Sequence, residues 1–252
     1  MISGYGIHSG SRSKVFFHLE DGPIRFYKNN TYIPANLDSV VATPRCTVLG
    51  KNNQNIAMVE HLLASLHAHN YWSGLVIEVI GDELPILDGS AKAWFEALGD
   101  INLKPKIPQA IILKQGVEYN HLNTAIKAIP AKHSLQVNVD YDHPAIGQQS
   151  WRGSHLDYKE LQTARTFGFL KEAEALKKAG LARRAELENV IIFDDVGAMQ
   201  KLRFKNEIVR HKALDATGDF FLLARPLEAK ITISRGSHES HIAFLRLLRQ
   251  SL

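Results

Sequence analysis

The polar stretch Asn102-Leu103-Lys104-Pro105-Lys106-Ile107-Pro108 breaks the chain into two halves whose predicted elements come in the same order. Proline locks φ and has no N–H to donate, so two prolines this close stop any helix or central strand from crossing the break. Before it, 13–50 reads as short strands, among them Val15–Leu19 and Ile24–Tyr27 on either side of Asp21-Gly22-Pro23. A helix is predicted over about 58–69, a strand over Leu75–Ile80 and a helix over Ala91–Leu98. After the break, strands fit Ala110–Leu113, Ala125–Ile129 and Leu135–Tyr141, and helices fit about 157–164 and Lys171–Ala179. A strand Val190–Phe193, a long helix 206–223, a strand Ile231–Ser234 and a terminal helix from about 239 complete the reading. At 252 residues the chain is long for one core and comfortable for two. The expectation is an α+β protein of two similar domains, 1–104 and 109–252, each a layer of helices packed on a β-sheet. Identity between the halves is too weak to establish a repeat.

Composition narrows the function classes. With 45% hydrophobic and 22% charged residues the chain reads as a globular protein, and no apolar run approaches the roughly 18 residues of a membrane span. Met1-Ile2-Ser3-Gly4-Tyr5 lacks the regions of a signal peptide, and the single cysteine, Cys46, rules out an internal disulfide, so the cytoplasm is expected. The net charge of +4 suits an anionic small molecule or a membrane surface. No basic-aromatic stripe of the nucleic-acid type is present, and Lys177-Lys178 through Arg183-Arg184 reads as a solvated helix end. We expect a monomer with no nucleic-acid partner and no membrane insertion, at most a peripheral contact.

The chemistry concentrates in Arg210-His211-Lys212-Ala213-Leu214-Asp215-Ala216-Thr217-Gly218-Asp219. On a helix, residues i and i+4 lie on one face about one turn apart, so His211 and Asp215 can reach one metal ion. Imidazole plus carboxylate suits zinc, whose catalytic sites take three protein ligands and leave one position open. His61 is a candidate third ligand on a predicted helix, with Glu60 beside it as a candidate general base. Spacing alone favours a plainer reading, a half-buried helix histidine next to a surface glutamate. Arg235-Gly236-Ser237-His238 ends a predicted strand at a glycine turn that can expose His238, which near a metal would stabilise an oxyanion and protonate a leaving amine. Asp219 could orient that imidazole. On these residues alone His238 is more simply a loop histidine.

Seven stretches, taken in order, closely resemble the UDP-3-O-acyl-N-acetylglucosamine deacetylase (LpxC) family. They are Gly4-Tyr5-Gly6-Ile7-His8-Ser9-Gly10, Val59-Glu60-His61-Leu62-Leu63, Pro85-Ile86-Leu87-Asp88-Gly89-Ser90-Ala91, Asp142-His143-Pro144-Ala145-Ile146-Gly147, Ala164-Arg165-Thr166-Phe167-Gly168-Phe169, Arg210-His211-Lys212 through Gly218-Asp219, and Gly236-Ser237-His238. The resemblance implies His61, His211 and Asp215 as ligands of Zn2+, with Fe2+ as the second candidate ion. It also implies Glu60 as general base, His238 as general acid or electrostatic stabiliser, Asp219 as its orienting partner, and Thr166 as a hydroxyl on the reacting carbonyl oxygen. Lys212 matches a cation for the substrate's diphosphate, Phe167 and Phe169 match residues near nucleotide and sugar, Glu172 one near uridine, and His8 one near the sugar. The implied fold places the active site between the two domains, with a β-α-β insert near 181–204 that lines an apolar passage for an acyl chain. Val190-Ile191-Ile192-Phe193 is the clearest apolar strand there.

The sequence departs from the family pattern in places. The strand that usually precedes the Gly4–Gly10 motif is expected to be missing or nearly so, and Arg183-Arg184-Ala185-Glu186 replaces a glycine pair before the insert's strand. The expected function is zinc-dependent removal of the N-acetyl group from UDP-3-O-acyl-N-acetylglucosamine in lipid A biosynthesis. Two alternatives stand beside it: a non-catalytic paralogue that binds a nucleotide sugar or acylated glycan, and a zinc deacetylase for a different N-acetylated sugar.

Overall fold

In the computed structural model, which describes residues 1–252, the first half opens with β1 (Ile2–Tyr5), β2 (Arg12–Pro23), β3 (Arg25–Lys28) and β4 (Thr31–Pro34). A small sheet of β5 (Val40–Ala42), β6 (Val48–Lys51) and β7 (Gln54–Ile56) leads to α1 (Glu60–Ala68), β8 (Ser73–Ile80) and α2 (Lys92–Gly99). The second half runs β9 (Ile111–Ile112), β10 (Val117–His121), β11 (Thr124–Pro130), β12 (Ser134–Tyr141) and β13 (Gly147–Gly153). It continues through β14 (Phe167–Phe169), α3 (Ala173–Lys178), β15 (Ile191–Phe193), α4 (Glu207–Phe221), β16 (Leu227–Ser234) and α5 (His238–Gln250).

The two main sheets share one topology. Their orders are β1-β2-β8-β3-β4 and β10-β11-β16-β12-β13, with β9 on the flank of β16. In each, the last strand enters the middle, antiparallel to the second strand and parallel to the third. The molecule is therefore α+β with a duplicated plan, as expected from the order of elements. Alternation makes these central strands: β16 buries Leu227, Ala229, Ile231 and Ile233 and turns the residues between them outward. Between the sheets, α1 packs on α4, α4 lies over β12 and β13, and α5 covers β10 and β11. One hydrophobic core of 54 buried residues runs through both halves.

Several local expectations shift. β1 is a four-residue strand paired with Arg12–Val15, of which only Ile2 and Ser3 precede the Gly4–Gly10 motif. The helix predicted at 157–164 is a 3-10 segment, His155–Leu161, in which only Tyr158 and Leu161 are buried. In a 3-10 turn residues three apart eclipse one another, so Tyr158 and Leu161 point the same way into the core. Strand β13 was not predicted because Gln148, Gln149, Ser150 and Arg152 give it a polar edge character, and it pairs with β12 alone. The β-α-β unit begins earlier than 181–204: β14 and β15 pair in parallel, joined by α3, and 181–204 holds only the second strand. The reason is that Phe167, Gly168 and Phe169 of the Ala164–Phe169 motif themselves form the first strand.

Candidate metal centre

All of α4 except Arg210 and Lys212 is buried, and the buried set includes His211, Asp215 and Asp219. Burying ionisable groups costs free energy unless each finds a partner, so these side chains must answer to something opposite. Opposite lies the N-terminus of α1. At Gly218 a Cβ would stand 2.1 Å from the carbonyl oxygen of Glu60, so glycine is what lets the two helices approach here. That approach carries Glu60 and His61 to the face of α4 that bears His211 and Asp215.

His61 Nε2 lies 3.8 Å and His211 Nε2 3.4 Å from Asp215 Oδ1. The three donor atoms are all within 4.8 Å of one another, and all three residues are buried. Ligands at about 2.0–2.1 Å around a tetrahedral ion stand about 3.3 Å apart, so the set needs only small adjustments to hold zinc. The protonation states also suit a metal. Burial, then His211, lowers the His61 pKa to about 3, and burial lowers that of His211, so both imidazoles stay neutral with lone pairs to offer. His211 donates Nδ1–H to the Ala164 carbonyl at 3.3 Å, which leaves Nε2 as the free donor atom. Burial would raise the Asp215 pKa, but His211 and Lys212 more than offset it and keep the carboxylate ionised.

Two more groups flank this set. Glu60 accepts the Thr47 N–H through Oε2 at 3.0 Å, and its Oε1 lies 3.8 Å from His238 Nε2. Desolvation lifts the Glu60 pKa to about 7. His238 is the first residue of α5, whose start is fixed by Ser237 and Ser240 in a capping box. Its Nδ1 donates to Asp219 Oδ2 at 2.8 Å, and its Nε2 stands 3.9 Å from Asp215 Oδ2. Burial would neutralise this imidazole, but Asp219, Glu60 and Asp215 together outweigh burial and raise its pKa to about 9. Asp219, pulled down to about 2 despite burial, is the fixed anion of the pair. Asp219, His238 and His241 also bring their donor atoms together, but there the carboxylate already accepts both Nδ1–H groups at 2.8 Å.

The backbone that delivers these residues is strained. Arg45, Met58, Leu87 and Arg235 all adopt positive φ, at 65°, 63°, 56° and 53°. Arg45, Met58 and Arg235 lie two or three residues before Thr47, Glu60 and His238, and such conformations cost on the order of 1–3 kcal/mol each and persist only where the surroundings impose them.

The other predicted residues surround the cluster without joining it. Lys212 Nζ donates to Asp215 Oδ2 at 2.9 Å, and its pKa is raised by Asp215 although the side chain is partly desolvated. Phe167 meets the His211 ring edge-on with centroids 6.0 Å apart, and Phe169 packs against Tyr141 and Phe193. Thr166 gives both its N–H and its hydroxyl to the Gly89 carbonyl, at 2.7 and 2.9 Å. Glu172 pairs with Arg45 at 3.0 Å. The His8 N–H donates to Glu83 Oε1 at 2.9 Å, and its Nδ1 accepts from the Ala182 N–H at 3.4 Å, which ties the first motif to the β-α-β unit. Cys46 is buried, and burial together with Glu60 pushes its thiol pKa well above the usual range. Sequence reasoning missed Thr47 and His241, both in direct contact with Asp219. Thr47 belongs to no motif with chemical spacing, whereas His241 stands three residues after His238, a helical spacing that was the available signal for it.

A buried two-imidazole, one-carboxylate set, flanked by a carboxylate near neutrality and an imidazole paired with aspartate, is the outfit of a metal-dependent hydrolase. The comparisons agree with that class. The family model of UDP-3-O-acyl N-acetylglycosamine deacetylase (LpxC) matches residues 1–250, and this chain belongs to that family. It is 36% identical over 250 residues to the UDP-3-O-acyl-N-acetylglucosamine deacetylase of Helicobacter pylori, covering 94% of this chain and 84% of that protein. The enzymes of the same name from Aquifex aeolicus and Thermodesulfovibrio yellowstonii are each 36% identical, covering 98% of this chain and 89% and 88% of theirs. No helix is long and apolar enough to cross a membrane.

Proposed function

We propose that this chain removes the acetyl group from a UDP-linked 3-O-acyl-N-acetylglucosamine, releasing acetate and the free amine, in lipid A biosynthesis. The observation that carries the reading is the convergence of His61, His211 and Asp215 with Glu60 and His238, in a chain of this family. His61 and His211 through Nε2, and Asp215 through its carboxylate, would hold a zinc ion. Zinc bound there supplies a Lewis acid for the amide carbonyl and lowers the pKa of a water molecule.

The protein's own groups divide the proton work. Glu60, anchored through Oε2 by the Thr47 N–H, keeps Oε1 free to take the proton of the attacking water. His238 enters the reaction protonated, since Asp219 holds its Nδ1–H and favours the cation. Its Nε2–H then offsets negative charge on the carbonyl oxygen and passes to the departing nitrogen. Thr166 assists at that oxygen once its hydroxyl turns from Gly89. Lys212 neutralises Asp215 and offers its remaining donors to the diphosphate. Phe167, Phe169, Glu172 and His8 form the surrounding sugar and nucleotide surface, and β15 contributes its half-buried Ile192 to the acyl passage. The division into domains 1–104 and 109–252, with the site between them, belongs to the same proposal.

The test is turnover by purified protein, with and without added zinc, on UDP-N-acetylglucosamine with and without a 3-O-acyl group. Acetate release from the acylated substrate alone, abolished by a chelator and restored by zinc, is expected. Preference for the non-acylated sugar would point to a different N-acetylated substrate, and no turnover in zinc-loaded protein to a binding role.

A further inference from the structure

Thr47 reaches both members of the acid–base pair. Its N–H donates to Glu60 Oε2 at 3.0 Å, and its hydroxyl donates to Asp219 Oδ1 at 2.5 Å. The same hydroxyl oxygen lies 3.3 Å from His238 Nδ1. Its carbonyl accepts the Val59 N–H at 3.4 Å, so the residue is also stitched to the start of α1. The side chain is completely buried. Glu60 and Thr47 come from the first half of the chain, Asp219 and His238 from the second, and Thr47 is the residue that hydrogen-bonds to both sides.

Asp219 shows why the hydroxyl matters. Its Oδ2 accepts two Nδ1–H donors, from His238 and His241, each at 2.8 Å. Its Oδ1 has the Thr47 hydroxyl. Without that donor one carboxylate oxygen is buried and unpartnered, and the carboxylate plane is free to turn about its Cβ–Cγ bond. Turning it changes the direction in which Asp219 holds the His238 ring, and with it the aim of Nε2. The support behind Thr47 is rigid: β6 begins at the next residue, its Leu49 is fully buried, and Arg45 two residues before is held at φ 65°.

We infer that Thr47 is a positioning residue that sets the general base and the general acid in one frame, its N–H orienting Glu60 and its hydroxyl locking Asp219 and thereby His238. The inference rests on the deacetylase reading for the roles of Glu60 and His238, while the hydrogen bonds themselves can be tested without turnover. Thr47→Val keeps the shape and removes the hydroxyl, and Thr47→Ala removes it with less crowding. Thr47→Ser retains it.

The experiment measures kcat and KM for these variants, alone and combined with His238→Ala, with metal content and Tm recorded. Loss of a hydrogen bond to a charged group predicts that Thr47→Val and Thr47→Ala lower kcat roughly 10- to 100-fold with KM and metal content unchanged. Thr47→Ser is expected to stay within about threefold of wild type, and in the His238→Ala background Thr47→Val should cost less than about twofold. A serine variant as impaired as valine, or the same loss in the His238→Ala background, overturns the proposal. Proton NMR of the metal-free protein adds a readout independent of catalysis. The Nδ1–H resonances of His238 and His241 should shift in Thr47→Ala and hold their positions in Thr47→Ser. Unshifted resonances in Thr47→Ala likewise overturn it, whereas a wild type without turnover would sink the deacetylase reading and leave the NMR result to decide the role of Thr47.

Discussion

Chemically similar residues have different work in this protein, and the surroundings decide which. Histidines 61, 211 and 238 stand within a few ångströms of Asp215, yet burial keeps the first two neutral while Asp219 keeps the third charged. His143 belongs to a family motif but has its ring nitrogens elsewhere, on the Asp194 carbonyl at 2.6 Å and the Ala145 N–H at 3.2 Å, and so pins a loop. From these differences, His61→Ala should abolish stoichiometric zinc binding, checked by metal analysis after dialysis, because two remaining donors cannot complete the set. Glu60→Gln should keep its metal and lose about 10²- to 10⁴-fold in kcat, since an amide cannot accept the proton of water. Wild-type turnover in Glu60→Gln would remove Glu60 from the proton-transfer role.

At the scale of elements, the site depends on how closely α1 and α4 cross. Gly218 faces the Glu60 backbone with no room for a methyl group, whose carbon would lie 2.1 Å from the carbonyl oxygen. Gly218→Ala must therefore push the helices apart, although alanine favours a helix by about 1 kcal/mol over glycine. Overpacking costs about 1–3 kcal/mol, so a lower Tm is expected despite the better helix propensity, together with lost activity as Glu60 and His61 retreat from Asp215. A Tm at or above wild type would show that the crossing has slack. A second close approach lies at Gly89, with φ 83° and a Cβ position 2.1 Å from the Asn189 carbonyl oxygen, where the Asp88-Gly89 turn meets the β-α-β unit. Gly89→Ala should loosen that unit and raise KM for the acylated substrate more than for the non-acylated one, as steady-state kinetics on both would reveal.

Across the whole molecule the halves meet at a second buried cluster, away from the proposed chemistry. His67 of α1 packs edge-on against Trp72 and Tyr158, and Trp72 stacks on Phe221 of α4 with centroids 4.6 Å apart. From the second half, His133 and His155 stack at 3.6 Å, and Tyr158 and Arg225 line the same small cavity. His67 Nε2 and both His155 ring nitrogens have no hydrogen-bond partner. Burial lowers the pKa of His67 to about 3, burial and the neighbouring histidines lower that of His155 to about 3, and burial lowers that of His133. An unfolded chain takes up these protons below pH about 6.5, whereas the folded one refuses them until much lower. The stability they contribute is therefore complete above pH 6.5 and is lost progressively as pH falls from there toward about 3. His67 alone costs about 1.4 kcal/mol per pH unit across that range. Denaturant midpoints should fall between pH 6.5 and 5, and His155→Phe should flatten that slope. An unchanged slope in His155→Phe would place the acid sensitivity elsewhere.

Periodicity and punctuation in the sequence pointed to most of the helices, to many of the main-sheet strands and to the helical pairing of His211 with Asp215, because these depend on neighbours within a turn or two of chain. The order of motifs was enough to point to the family. What remained hidden is what distance along the chain conceals. The shared strand order of the two sheets depends on where β8 and β16 insert, which no local pattern encodes. The polar strand β13 and the three-residue β14 carry too few apolar positions to declare themselves. Thr47 and His241 look ordinary in sequence, 172 and 22 residues from Asp219, and acquire meaning only when folding brings them onto its carboxylate. The chain's local chemistry chose the candidate donors. Tertiary packing, through the close crossing at Gly218 and the shared burial it enforces, decided which of the twelve histidines stay neutral beside Asp215, which one is charged beside Asp219 and which pack where the halves meet.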